Sequence, residues 1–173
     1  DLGLPVPSHA QMQHIISDVI HAAPGSDPCV KWPGVELRAY RQQLYALSAM
    51  SPFKPDRRIA WDLQSVLQID GAGTLKVSMV QGQGLTSALL GQKDICIGFR
   101  QGGERIRPAR RGHEHELKKL FQEAAVPPWQ RERTPILYQG DQVVAVAGLC
   151  ESESFQAGEG RQGLLLHWHK HFG

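Results

Sequence analysis

Apolar residues recur at helical spacing in the first twenty positions, and alternation takes over afterwards. Met12, Ile15, Ile16, Val19 and Ile20 form a helical stripe. Ser8 and Gln11 ahead of it make an S-x-x-Q capping box, which places a helix start there. Pro24-Gly25 stops the helix near residue 23. The stripe is expected to be a core face. Residues 35–41 and 44–49 are rich in β-branched, aromatic and aliphatic side chains and predict a hairpin around Gln42-Gln43. Gln-Gln is not a favoured pair for a tight hairpin, so the turn type stays open. Two prolines within Ser51-Pro52-Phe53-Lys54-Pro55 favour an extended connector. A domain boundary is therefore expected there, dividing the chain into 1–52 and 53–173.

Beyond the connector the pattern is that of short strands. Runs at 59–63, 66–69 and 74–80 are expected strands, with Asp70-Gly71 as a hairpin signal. Leu75, Val77 and Met79 alternate with Lys76 and Ser78, which predicts one buried and one wet face. Gly82, Gly84 and Gly91 mark a loosely specified loop. Residues 95–99 form another apolar strand. After His113, Leu117, Leu120, Phe121 and Ala124 fall at i, i+3, i+4 and i+7, one apolar face of a helix that turns Lys118, Lys119 and Gln122 outward. Pro127-Pro128 ends it. Residues 136–138 and 143–147 read as a hairpin about Gly140-Asp141. Residues 151–163 read as a polar loop, and 164–168 as a last strand. The predicted class is α+β: a small helix-plus-hairpin piece, then a mainly antiparallel β domain with one amphipathic helix.

Composition narrows the picture only a little. The chain has 173 residues, 41% hydrophobic and 21% charged, which suits one ordinary domain or two small ones. Three cysteines, Cys29, Cys96 and Cys150, are widely spaced and odd in number, which fits a reducing compartment better than a disulfide framework. With no apolar run of membrane length and no basic-then-apolar leader, the expectation is a cytoplasmic protein without a membrane partner. The opening Asp1-Leu2-Gly3, without methionine, reads as part of something longer.

Charge distribution changes the picture most. The net charge is only +2, yet residues 100–133 hold nine basic and five acidic side chains, so the segment is +4 and the remainder −2. Its cations are Arg100, Arg105, Arg107, Arg110, Arg111, Lys118, Lys119, Arg131 and Arg133, and they are the candidate RNA-binding residues. Guanidinium forks match phosphate geometry without reading bases. Gly102-Gly103 lets backbone N–H groups approach an anion, and the N-terminus of the helix expected after His113 points the same way. The bland alternative is a solvated helix flank with pairs such as Glu114–Lys118.

Other chemistry is sparse. His113-x-His115 and His167-x-His169-x-His171 have spacings that a metal-dependent hydrolase would use, but no Cys or carboxylate stands beside His167, His169 and His171 in sequence to complete a ligand set. No nucleophile elbow and no Walker loop is present, and Gly25-Ser26-Asp27 is a turn fragment. Cys96 sits in an apolar strand, where an inert thiol is expected. Trp129 either plugs the core at a helix exit or stacks on a base. A protein–protein module with a basic face is a third reading. No catalytic residue and no metal ligand is assigned.

The segments FRQGGERIRP, HELKKLFQE, VPPW with Arg131 behind it, and the PILY…GD…VAVAG hairpin stand in order across residues 99–148. Together they resemble the C-terminal domain of the tRNA(Ile)-lysidine synthetase family. Residues 1–52, a helix followed by VELRAYRQQLYAL, resemble the end of that family's middle, substrate-binding domain. The resemblance implies a ligase that uses ATP with magnesium to join lysine to the wobble cytidine of an isoleucine tRNA. That chemistry belongs to an N-terminal domain whose Ser-Gly-Gly-x-Asp-Ser loop does not occur in this chain. The resemblance therefore implies the accessory, tRNA-engaging part, directed at the acceptor stem, inactive alone and without a cofactor of its own. Homodimerisation is expected only through the full-length protein. Two departures stand out: Ala109 replaces an expected glycine, and residues 150–163 follow no matching pattern.

Overall fold

A computed structural model describes residues 5–23, 26–54 and 58–171. The predicted stop at Pro24-Gly25 and the second connector proline, Pro55, lie outside the described residues. By contact the chain divides into one unit up to Pro52 and another from Phe53 to His171.

The first unit opens with α1 (His9–His14), whose N-cap Ser8 and residue Gln11 form both reciprocal bonds of the capping box. A π-helical turn, Ile15–Ile20, continues it. Strands β1 (Cys29–Trp32), β2 (Val35–Tyr40) and β3 (Gln43–Ser48) form an antiparallel sheet in that order. The β2–β3 turn is Arg41-Gln42, both left-handed (φ 50° and 63°), so the hairpin closes one residue earlier than expected, with the paired positive φ of a type I′ turn. Ile15, Val19 and Val30 form the core. The expected core stripe is only half buried: Met12 and Ile16 are each 44% exposed and Ile20 55%. The stripe is two rows wide, and the packed cluster takes up only the Ile15–Val19 row.

In the second unit the strands are β4 (Ile59–Ala60), β5 (Leu67–Ile69), β6 (Gly73–Gln81), β7 (Leu85–Thr86), β8 (Ile95–Gly98), β9 (Arg105–Ile106) and β10 (His115–Glu116). Helices α2 (Leu117–Glu123) and α3 (Pro128–Arg131) follow, then β11 (Ile136–Gln139), β12 (Gln142–Val146), β13 (Cys150–Glu151) and β14 (Gln162–His169). A five-stranded sheet runs β13-β12-β11-β8-β4 and a four-stranded sheet β5-β6-β14-β7. Every pairing in them is antiparallel.

Alternation sends successive residues of β11 to opposite sides of the five-stranded sheet. Leu137 joins the cluster made with the four-stranded sheet (Leu75, Leu85, Leu164), while Ile136 and Tyr138 join the cluster beneath α2 (Leu117, Leu120, Phe121). The unit is thus layered sheet, sheet, helix. A bulge between Leu137 and Tyr138 inserts Val144 into β12, and Val144 and Ala145 accordingly both belong to the inter-sheet cluster.

Several expectations change. The helix begins at Leu117 rather than just after His113, because His115 and Glu116 pair with Ile106 and Arg105 as a strand. Ala124 is exposed, since it is already the C-cap. Pro128 does not merely end a helix: with its φ preset it starts α3, behind the left-handed Ala125. The glycine loop is closely specified, because a side chain at Gly84 would strike the carbonyl of Leu164. Residues 151–163 are not a free loop: Ser152 is buried and bridges to Pro108, and Gln156 bridges to Leu85.

Candidate functional site

The basic segment folds wholly within the second unit, and its path is set by short local pairings. After β8 the chain enters Gly102-Gly103, both left-handed (φ 104° and 85°), with nothing within 4 Å of where a side chain would stand. The backbone N–H groups of Gln101 and Gly102 do meet an anion, but an internal one: both donate to Oε1 of Glu104, Gly102 at 2.9 Å. Leu117 N–H donates to the Glu104 carbonyl at 3.0 Å, which joins this loop to the start of α2.

Strands β9 and β10 then place Arg105 and Arg107 outward on either side of the buried Ile106. Arg105 Nε lies 2.6 Å from Glu114, so Glu114 serves Arg105 and not Lys118. Arg107 pairs with Glu153 at 2.5 Å. The bend at residues 108–111 is fastened from behind: Ala109 N–H donates to the Glu151 carbonyl at 2.9 Å and Glu153 N–H to the Arg107 carbonyl at 2.9 Å. The departure at Ala109 leaves the next residue, Arg110, in the left-handed region at φ 69°. Arg111 pairs with Glu123 at 2.6 Å, tying the bend to the end of α2, and that hydrogen bond holds the Glu123 carboxyl below its ordinary range.

The nine predicted cations therefore separate. Arg110, Lys118 and Lys119 are exposed and make no ion pair among the described residues. Arg105, Arg107 and Arg111 are about half exposed and paired at the surface, where such pairs contribute roughly 0–1 kcal/mol and exchange readily. Arg100 is half-buried, with its Nε enclosed. The structure places Arg131 and Arg133 on internal duty instead. Arg131 Nε donates to the Val126 carbonyl at 2.6 Å. Arg133, 8% exposed, donates to the Gly71 carbonyl at 2.7 Å and lies 5.0 Å over the Phe53 ring. Their guanidiniums close the helix exit and the β5–β6 turn. Trp129 is 4% exposed, a core plug.

Beside the bend is a groove of about 730 Å³ whose residues all lie in the second unit. One wall carries Arg110 and Arg111, another Glu123 and Ala124, and the floor is built from β12, β14 and the Gly148 turn. Sequence reasoning missed it, because its residues come from separate segments including the supposed loops at Gly84 and 151–163. Cys150 borders it with a thiol pushed up to about 11 by burial, hence protonated and inert. Sequence reasoning also missed Arg58, which sits 4.5 Å over the Tyr138 ring and donates to the Gly140 carbonyl at 2.6 Å.

The histidines do not converge. His113 and His115 stack on each other at 4.2 Å, and His167 Nε2 pairs with Ser78 Oγ at 2.7 Å. Among the described residues no three His, Cys, Asp or Glu side chains come together as a metal-ligand set. No helix among them is long and apolar enough to cross a membrane.

Comparison with known proteins adds a family to this geometry. Residues 95–168 match the model of the TilS substrate C-terminal domain, and residues 1–45 that of the TilS substrate binding domain. The tRNA(Ile)-lysidine synthase of Coxiella burnetii is 38% identical over 156 residues, covering 90% of this chain and 34% of the relative. That of Alkalilimnicola ehrlichii is 37% identical over 161 residues, covering 91% of this chain and 36% of the relative. The chain thus spans about a third of the length of the curated relatives it matches. A crystal structure of a TilS C-terminal domain superposes with a TM-score of 0.52 at 21% identity, covering 66% of this chain and 98% of that one, a likeness of fold. Two domain models of one family, in order along the chain and joined by relatives that run across both, show that this chain belongs to the TilS family.

Proposed function

We propose that this chain is the tRNA-gripping, non-catalytic part of an ATP-dependent ligase that attaches lysine to the wobble cytidine of isoleucine tRNA. Residues 53–173 engage the acceptor stem, and residues 1–52 belong to the neighbouring substrate-binding domain. The observation that carries the reading is the concentration of exposed cations on the bend and on α2, held together by the Arg111–Glu123 pair. Arg110, Lys118 and Lys119 meet phosphates directly, and Arg105, Arg107 and Arg111 exchange their surface carboxylates for phosphates on binding. Adenylation and lysine attachment, with ATP and magnesium, fall to a nucleotide-binding part whose Ser-Gly-Gly-x-Asp-Ser loop is not in this sequence.

The test is the salt dependence of tRNA binding by the 173-residue chain. Each phosphate neutralised adds a slope of about −0.7 to −0.9 to log K against log salt. Replacing Lys118 and Lys119 with alanine is expected to weaken binding and flatten the slope by about 1.4 to 1.8. An unchanged slope in that variant removes α2 from the interface. ATP-dependent lysine incorporation by this chain alone would contradict its accessory role.

A further inference from the structure

The groove beside the bend is not needed for gripping a duplex backbone. Phosphates of a helix can be met by Arg105, Arg107, Lys118 and Lys119 on the outer surface, without entering a cavity of about 730 Å³. That volume lies in the range of small-molecule sites, roughly 300–1,000 Å³, and is far too small for a duplex. Its lining has the three parts a nucleotide requires. Leu149, Leu165 and Leu166 are apolar, only partly buried, and suit a base. Gln83, Gln156, Glu123 and Glu151 line it with amide and carboxylate groups, of which Glu123 is engaged by Arg111 and Glu151 by Gln156. Amides and carboxylates are the groups that pair with base edges. Arg110 lines it with a guanidinium that has no ion pair among the described residues.

The backbone fixes where this side chain starts. Arg110 is held left-handed at φ 69° as the third residue of a turn that Arg111 N–H closes on the Pro108 carbonyl at 3.1 Å.

We propose that this groove receives an unpaired nucleotide of the RNA, its base against the floor and its phosphate on Arg110. The inference rests on the RNA-binding reading above and adds a second mode of contact to it: outer cations hold the duplex, and the groove holds a nucleotide that is not in the duplex.

The test compares a blunt RNA duplex, the same duplex with a short unpaired 3′ tail, and free cytidine or adenosine monophosphate, each titrated against the full chain. The tailed duplex is expected to bind about fivefold or more tighter than the blunt one, the gain of roughly one net hydrogen bond. Ala124→Trp, at an exposed position lining the groove, is expected to erase that advantage and leave blunt-duplex affinity unchanged. Arg110→Gly suits the left-handed backbone, so it keeps the thermal midpoint while reducing the advantage. Should Ala124→Trp fail to fold, amide shifts of Ala124, Gly148 and Gln156 in the unaltered chain are expected with the tailed duplex and not with the blunt one. Equal affinities for blunt and tailed RNA overturn the groove and leave the duplex reading standing. Mononucleotide binding without a tail advantage also overturns it. Failure to bind any of the RNAs overturns both readings.

Discussion

At the scale of single residues, arginine is where sequence and structure diverge most. Arg131 and Arg133 stand in the same charged run as Arg105 and Arg107, and nothing local distinguishes them. The partner that takes Arg133 inside is the carbonyl of Gly71, far away in the chain, with the Phe53 ring beneath the guanidinium. Replacing Arg133 with methionine keeps most of the volume but leaves a buried carbonyl without its charged donor and removes the cation from the ring. The expected loss is about 2–4 kcal/mol of stability, read from the denaturant midpoint. The salt slope of tRNA binding is expected to stay unchanged, because a buried guanidinium releases no counterions. A flatter slope in that variant would return Arg133 to the interface. The cations whose exposure was legible in sequence were those whose place on a face follows from helical spacing alone, such as Lys118 and Lys119 on one helix.

At the scale of elements, the capping box and the hairpins were legible because each is encoded within a few residues. The two-residue strands β9, β10 and β13 were not, since each exists only through a partner lying outside its own run. The same holds for β1, which pairs along β2 and exposes little periodicity in four residues. This small sheet carries a titratable group that sequence did not single out. Glu36 is 3% exposed and lies 2.8 Å from Lys31 and 3.0 Å from Arg38. Burial pushes its carboxyl up, but the hydrogen bonds and charges of Lys31 and Arg38 outweigh that and hold it below its ordinary 4.5. A group depressed on folding contributes stability above its unfolded value, and the contribution is lost as pH falls through the folded value. The amide signals of β1–β3 are therefore expected to weaken as pH drops below about 4.5. In Glu36→Ala the sheet is destabilised already at pH 7, by roughly 1–3 kcal/mol, because the mostly buried Arg38 loses Glu36 and keeps only Asp27, at 3.2 Å, as a carboxylate partner. A flat acid profile in the unaltered chain would show that Glu36 does not govern this unit.

At the scale of the whole second unit, fold and proposed function meet at Phe121. It is fully buried beneath α2 and packs α2, with its Lys118 and Lys119, onto the five-stranded sheet. Phe121→Ala opens a cavity in that layer and is expected to cost about 3–5 kcal/mol, a large share of the 5–15 kcal/mol that ordinary domains have. The variant touches no charge, so any loss of tRNA affinity must come through the population of undocked α2. Mass action makes that separable. A ligand that binds only the folded unit stabilises it by RT ln(1 + [L]/Kd), about 2.7 kcal/mol at a hundred times Kd. Adding tRNA at that ratio is expected to return about that much to the melting of Phe121→Ala, whereas the same absolute concentration should return less to Lys118→Ala/Lys119→Ala, whose fold is intact but whose Kd is raised. If tRNA shifts neither midpoint, the cations of α2 and the bend belong to the solvated surface, and the docking of α2 serves the fold alone.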